Sequence, residues 1–184
     1  MQQEKLQVKV RRLRRMRIIH RWLGVPLMIF FLVIGITSIL LAWKKKVELL
    51  PPTQSSEVQR QGEWIPTEKM LAIAITEMDS RSLSSLVDRI DIRPDKGIAK
   101  VTFEEHFTEV QIDGYSGEIL SVATRHSDWI EKVHDGSIVD FYFGNTETAK
   151  LVYSSATAFG LLLMSLSGFY LWYFPKVIRK TKQG

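Results

Sequence analysis

The residues best suited to chemistry in this chain are four histidines, His20, His106, His126 and His134, and there is no cysteine. Without thiols, disulfide scaffolds, Cys-ligated zinc, iron–sulfur clusters and thiol nucleophiles are excluded. Any metal or haem chemistry falls to the histidines and the carboxylates. Glu104-Glu105-His106 places two acids beside an imidazole, a group able to hold a cation, although adjacent acids at a turn are ordinarily just solvated. His106 and His126 are expected as solvated loop residues. No H-E-x-x-H zinc motif, phosphate-binding glycine loop, catalytic-triad pattern or paired-carboxylate spacing is present. The expectation is therefore no catalytic residue, no dedicated metal site and no enzymatic activity in isolation.

What positions these residues is a segregation of charge that the near-zero mean hydropathy hides. Trp22–Trp43 is 22 residues without a charge, and Leu151–Pro175 is 25. At about 1.5 Å per helical residue, the shorter run reaches ~33 Å, enough for a hydrocarbon core of about 30 Å. Buried helices of soluble proteins rarely run so long without a charge. A cleaved signal peptide has a shorter apolar core and a small-residue site, whereas Ala42-Trp43-Lys44-Lys45-Lys46 follows here. Residues 1–21 hold eight Lys/Arg against one acid, Glu4, and residues 176–184 add four basic residues without an acid. The positive-inside bias predicts both termini in the cytoplasm and the loop outside, against the weaker vote of Lys44, Lys45 and Lys46. The basic excess flanks the spans, where it suits anionic lipid headgroups, so nucleic acid is not expected as a partner. The Arg-rich segment Arg11–Arg17 is expected to continue the first span as a helix at the inner interface.

Between the spans lies enough chain for one small domain. Pro51-Pro52-Thr53-Gln54-Ser55-Ser56 predicts an extended linker. Thr67 is expected as the N-cap of a helix ending near Asp79-Ser80, with Met70, Leu71, Ala74 and Met78 on its apolar face. Val87–Ile92, Ile98–Phe103, Phe107–Asp113 and Ile119–Val122 predict strands, divided by turns at Arg93–Gly97, Glu104–His106 and Asp113–Gly117. Along the second strand, Ala99, Val101 and Phe103 share one side, and Lys100 and Thr102 the other. The predicted fold class is a membrane protein of α+β type: two transmembrane helices flank a small extracytoplasmic domain, whose helix covers one face of an antiparallel sheet. Its parts are a basic N-terminal segment (1–17), a first span (18–43), a linker (44–64), the α+β domain (65–125), a membrane-proximal outer segment (126–148), a second span (149–175) and a basic tail (176–184). So small a domain is expected to lean on a partner or on a second copy of itself.

Gly114-Tyr115-Ser116-Gly117-Glu118-Ile119-Leu120, closing a helix–strand–strand arrangement, resembles the last strand of a PepSY domain. His20-Arg21-Trp22-Leu23-Gly24, His134-Asp135-Gly136 and Ser167-Gly168-Phe169-Tyr170-Leu171-Trp172 resemble segments of PepSY-associated transmembrane proteins. The chain is similar to a minimal, two-span version of that family. The resemblance implies a bacterial inner-membrane location and an association with iron-chelate or haem uptake. It also implies that His20 and His134 match family histidines, which makes haem the cofactor to consider. With one at the inner mouth of the first span and the other on the outer side, they stand some 30 Å apart in depth, whereas two haem ligands must lie about 2 Å from one iron. Haem would need another second ligand, such as Met28 or Met164, or a histidine from another protein. The simpler reading makes His20 an interfacial residue beside Arg21 and Trp22, and His134 a polar contact at the membrane surface.

Small and hydroxylated residues supply the expected contact between the spans: Gly24 and Gly35 in the first, and Ser154, Thr157, Met164 and Gly168 in the second. The turn Gly114, Tyr115, Ser116, Gly117 and Glu118 is the expected interaction site, together with the sheet edge. The function these features imply is that of a noncatalytic accessory protein binding another membrane or extracytoplasmic protein. A haem-bearing redox subunit is the alternative. Another is a regulator of an extracytoplasmic peptidase, since PepSY domains also occur in protease propeptides.

Overall fold

The structure is a computed structural model, and it describes residues 2–57, 63–144 and 147–183. Part of the expected linker, residues 58–62, lies outside the described residues. The chain divides into two compact units, one formed by residues 39–131 and the other by residues 1–38 with 132–184.

The second of these units is helical. α1 runs unbroken from Gln2 to Trp43, through Pro26, so the Arg-rich segment does continue the first apolar run as one helix. α5 spans Thr148–Gln183 and passes through Pro175, the residue at which the second span was expected to end. A proline removes one backbone donor and crowds the preceding turn, but the helix keeps its packing on either side. Both helices are long and apolar enough to cross a bilayer. The segment expected to be outer and membrane-proximal contains two helices, α3 (His126–Asp135) and α4 (Ser137–Phe143). Gly136 joins them at φ 81°, a left-handed conformation that favours glycine, and a Cβ there would meet the Tyr153 ring at 2.5 Å. Asp140 of α4 is buried. Its two carboxylate oxygens accept the backbone N–H groups of Ala149 and Lys150 at 3.0 and 2.9 Å, satisfying donors that the first turn of α5 leaves open.

α1 and α5 meet along seven-residue repeats. On α1 the shielded positions include Leu6, Leu13, His20, Leu27, Ile34 and Leu41; on α5 they include Tyr153, Thr157, Gly160, Met164, Ser167, Leu171, Phe174 and Ile178. Alternating steps of three and four residues are the pattern of left-handed coiled-coil packing. The observed partners run antiparallel: His20 with Ser167, Gly24 with Met164, Leu27 with Gly160, and Phe30 with Tyr153.

In the other unit, α2 (Thr67–Ser80) is followed by β1 (Val87–Arg93), β2 (Ile98–Phe103), β3 (Thr108–Asp113) and β4 (Ile119–Thr124). The strands form an antiparallel meander in the order β1-β2-β3-β4, with Val101 opposite Ile90 on one side and Val110 on the other. Met70, Ala74 and Met78 of α2 pack on Ala99, Val101, Phe103, Val110 and Ile112. Burying such residues contributes about 1.5–3 kcal/mol for each large side chain. The N-cap of α2 is Pro66, without a side-chain cap. Thr67 instead begins the helix, and the Pro66 carbonyl accepts from Lys69 and Met70. The larger departure is on the opposite face of the sheet. Every residue of β2 and β3 is buried, the polar ones included. The stretch expected as an extended linker is tied to the sheet: the Ser56 N–H donates to the Lys96 carbonyl at 2.8 Å, and the Gln54 N–H to Gln111 Oε1 at 2.8 Å.

Candidate functional site

Glu109 on β3 is fully buried on the polar face of the sheet. Pairing of β2 with β3 sets Thr102 opposite Glu109 and Lys100 opposite Gln111, so the long polar side chains gather at one place. Lys100 Nζ donates to Glu109 Oε1 at 3.0 Å, Gln111 Nε2 to the same oxygen at 2.8 Å, and Arg125 Nη1 to Glu109 Oε2. Arg125 Nε reaches Asp128 Oδ2 at 2.8 Å, which Arg89 Nη2 also approaches at 3.1 Å. Gln111 is held in turn by the Pro51–Ser56 stretch, donating to the Pro52 carbonyl at 3.0 Å. Burial works to raise the Asp128 carboxyl, but the bond and charge of Arg125, the Ser127 hydroxyl and the charge of Arg89 hold it below its ordinary value. The same burial opposes the charge on Arg125, yet Asp128 and Glu109 together push that guanidinium up. The network is compensated at every charged oxygen, so it offers no free base or nucleophile. It locks the first turn of α3 onto the sheet, a role the alternation of β2 and β3 did not announce.

The turn after β3 uses its own backbone. Asp113 Oδ1 accepts the N–H groups of Tyr115 and Ser116 at 2.8 and 3.0 Å. Burial works to raise that carboxyl, while bonds from Ser56, Ser116 and Tyr115 lower it on balance. The Gly114 N–H donates to the Gly97 carbonyl, and its own carbonyl accepts from Ile65. A Cβ on Gly114 would lie 2.7 Å from the Trp64 ring, and Gly117 adopts φ 79° beside Ile73 and Ile65. Tyr115 packs against Trp64 at 5.6 Å between centroids. Of the expected interaction residues, only Ser116 and Glu118 are exposed. The glycines and Tyr115 fasten the turn to α2 and its approach.

The histidines divide by unit. Ser167 Oγ–H donates to the Leu163 carbonyl at 2.6 Å, so its oxygen accepts from His20 Nδ1 at 2.6 Å. Thr37 Oγ1–H is likewise committed to the Val33 carbonyl at 2.7 Å and accepts from His134 Nδ1 at 2.9 Å. In both bonds the donated proton is thus the one on Nδ1. His20 and Thr37 are 17 positions apart on α1, about 25 Å along the helix, so His20 and His134 cannot be the two ligands of one haem iron. One turn along from His20, Met164 fills the space over Gly24, where a Cβ would lie 2.8 Å from its methyl. His106, expected to be solvated, is pinned. Its Nε2–H donates to the Ser84 carbonyl at 2.9 Å, Nδ1 accepts from Thr108 Oγ1 at 2.7 Å, and the ring stacks on Phe103. His126 is exposed. Among the described residues, no three His, Asp or Glu side chains gather as a metal site.

The residues expected to pack the helices together also separate. Gly24, Thr157, Met164 and Gly168 lie on the seam. Gly35 has open space over its Cα, and Ser154 is exposed, donating to the Asp135 carbonyl of α3 at 3.2 Å. Nor do the glycines bring the backbones together, since among the described residues no Cα of α1 comes within 8 Å of one in α5. Gly24 and Gly160 are holes that the Met164 and Leu27 side chains fill, which is knobs-into-holes packing at ordinary helix spacing.

A search of curated proteins returns no match. The family model of the PepSY-associated TM region matches residues 17–184, which takes in α1 from residue 17 onward, all of α5 and the whole sheet unit. With two bilayer-length helices flanking a helix-plus-meander domain, the chain belongs to the PepSY-associated transmembrane family and is a membrane protein.

Proposed function

We propose that this chain is a noncatalytic accessory protein of the bacterial inner membrane, which holds its sheet domain on the outer face to bind another protein. The observation that carries the proposal is the pair of lateral edges on the four-stranded sheet. Among the described residues, β1 and β4 each have a strand neighbour on one side only, and unpaired strand groups offer directional bonding to an added strand. The asymmetry of basic residues at the two ends of the chain supports cytoplasmic termini. The engaged backbone of the Gly114–Gly117 turn supports recognition through the strand edges, with Ser116 and Glu118 contributing side chains at the margin. The family resemblance points to a companion in iron-chelate or haem uptake.

Photo-crosslinking side chains placed singly at Ile92 on β1, Ser121 on β4 and Ser116, in native membranes, test the proposal. A discrete protein adduct from an edge position, absent from Lys69 on the exposed side of α2, is the expected result. Adducts from no edge position, or equally from Lys69, refute it. An adduct that proves to be a peptidase would identify the companion as a protease. Purified protein with a Soret band, lost in His20→Ala or His134→Ala, would replace the proposal with a redox subunit.

A further inference from the structure

Within the sheet unit, a cleft of about 570 Å³ is lined by six cationic side chains, Lys44, Lys45, Arg93, Lys96, Lys100 and Arg125, against two carboxylates, Asp91 and Asp95. The charges are not evenly matched. Lys100 and Arg125 are balanced from behind by Glu109 and Asp128, and Arg93 faces Asp91 at 3.5 Å. Lys44, Lys45 and Lys96 have no ion-pair partner among the described residues. Among the described residues, the cleft also holds an unspent donor. An ammonium has three N–H groups; Lys100 gives one to Thr53 Oγ1 and one to Glu109 Oε1, both at 3.0 Å. Lys44 and Lys45 directly follow Trp43, the last residue of the apolar run, which sets this wall of the cleft at headgroup level.

We propose that the cleft binds a phosphate group. Planar carboxylates are best recognised by a free guanidinium fork, and here Arg125 is engaged by Asp128 and Glu109 while Arg93 faces Asp91. What remains are ammonium point charges converging from three separate stretches of backbone, which suits a compact anion with several oxygens. The group belongs either to a phospholipid headgroup or to a soluble phosphate compound. Binding here does not depend on the protein partner proposed above.

The test uses the full chain in neutral detergent, titrated calorimetrically with inorganic pyrophosphate. A second arm uses nanodiscs of phosphatidylcholine with and without phosphatidylglycerol, and phospholipid retained through purification is counted by native mass spectrometry. Lys44→Gln/Lys96→Gln removes two cleft charges, and Lys46→Gln/Lys69→Gln removes the same charge elsewhere. The cleft variant is expected to lose roughly tenfold or more in binding, with the control within about twofold of wild type. Saturable pyrophosphate binding lost in the cleft variant assigns a soluble source. Selective retention of phosphatidylglycerol lost in that variant, without pyrophosphate binding, assigns a headgroup. No binding in either arm, or equal loss in both variants, overturns the proposal.

Discussion

Glu109→Ala is the most informative perturbation of this fold. Glu109 is fully buried and joins Lys100 to Arg125. Its removal leaves Arg125 with Asp128, but Lys100, itself 8% exposed at the side chain, with only the Thr53 hydroxyl. Removing one partner of a buried pair typically costs about 3–5 kcal/mol, because the surviving charge is left uncompensated. A unit of this size is stabilised by about 5–14 kcal/mol in total, so the loss is a large fraction. The assay is hydrogen exchange on the solubilised full chain. At about 1.4 kcal/mol per factor of ten, 3 kcal/mol predicts roughly a 150-fold fall in protection of the β2 and β3 amides. α1 and α5 serve as internal controls. Adding Lys100→Met to Glu109→Ala should recover part of the loss, since the orphaned ammonium is the main penalty. Unchanged protection in β2 and β3, or no recovery in the double variant, refutes this account of the polar face.

Three further outcomes follow from the same geometry. Gly136→Ala should destabilise the α3–α4 corner by about 1–2 kcal/mol from the left-handed backbone alone, and more from the clash with Tyr153; faster proteolysis at residue 136 checks it. Because Asp128 is held below its ordinary 3.8, its contribution is fully present above that value and is lost as pH falls through the lower folded one. Wild type should therefore lose more melting temperature than Asp128→Asn on acidification below about pH 4. Gly160→Val should overpack the seam, where a Cβ would sit 2.6 Å from Leu27, at a cost of about 1–3 kcal/mol. Gly35→Val faces open space and should melt as the wild type does; thermal scans in detergent separate the two.

The spans were legible because 22 and 25 consecutive residues without a charge are rare outside a bilayer. Strands such as Ile98–Phe103 were legible because alternation and a Pro–Gly turn agree. The polar face was not, since alternation tells which side chains share a face but not what covers it. The cover here comes from two distant stretches, Pro51–Ser56 and the first turn of α3. α3 does carry a local signal, because Ser127 and Asp128 are residues that favour a helix start. The glycines of Gly114–Gly117 suggest an exposed recognition loop, but the tight approach of Gly114 to Trp64 depends on a residue fifty positions earlier. On α5, small side chains alone point to Ser154, whereas counting in sevens from Tyr153 finds the seam.

That seven-residue ladder starts at Leu6, well before the oily stretch opens at Trp22, and Leu13 is already 8% exposed. The arginines at 11, 12, 14, 15 and 17 are therefore phased to the partner helix: each added residue turns the helix by about 100°. Inserting a single alanine after Arg17 would swing the arginine cluster toward α5 and send Leu13 outward. Inserting seven would return every side chain close to its present bearing. The length of this end of the protein is thus constrained in whole repeats, even where its composition looks tolerant.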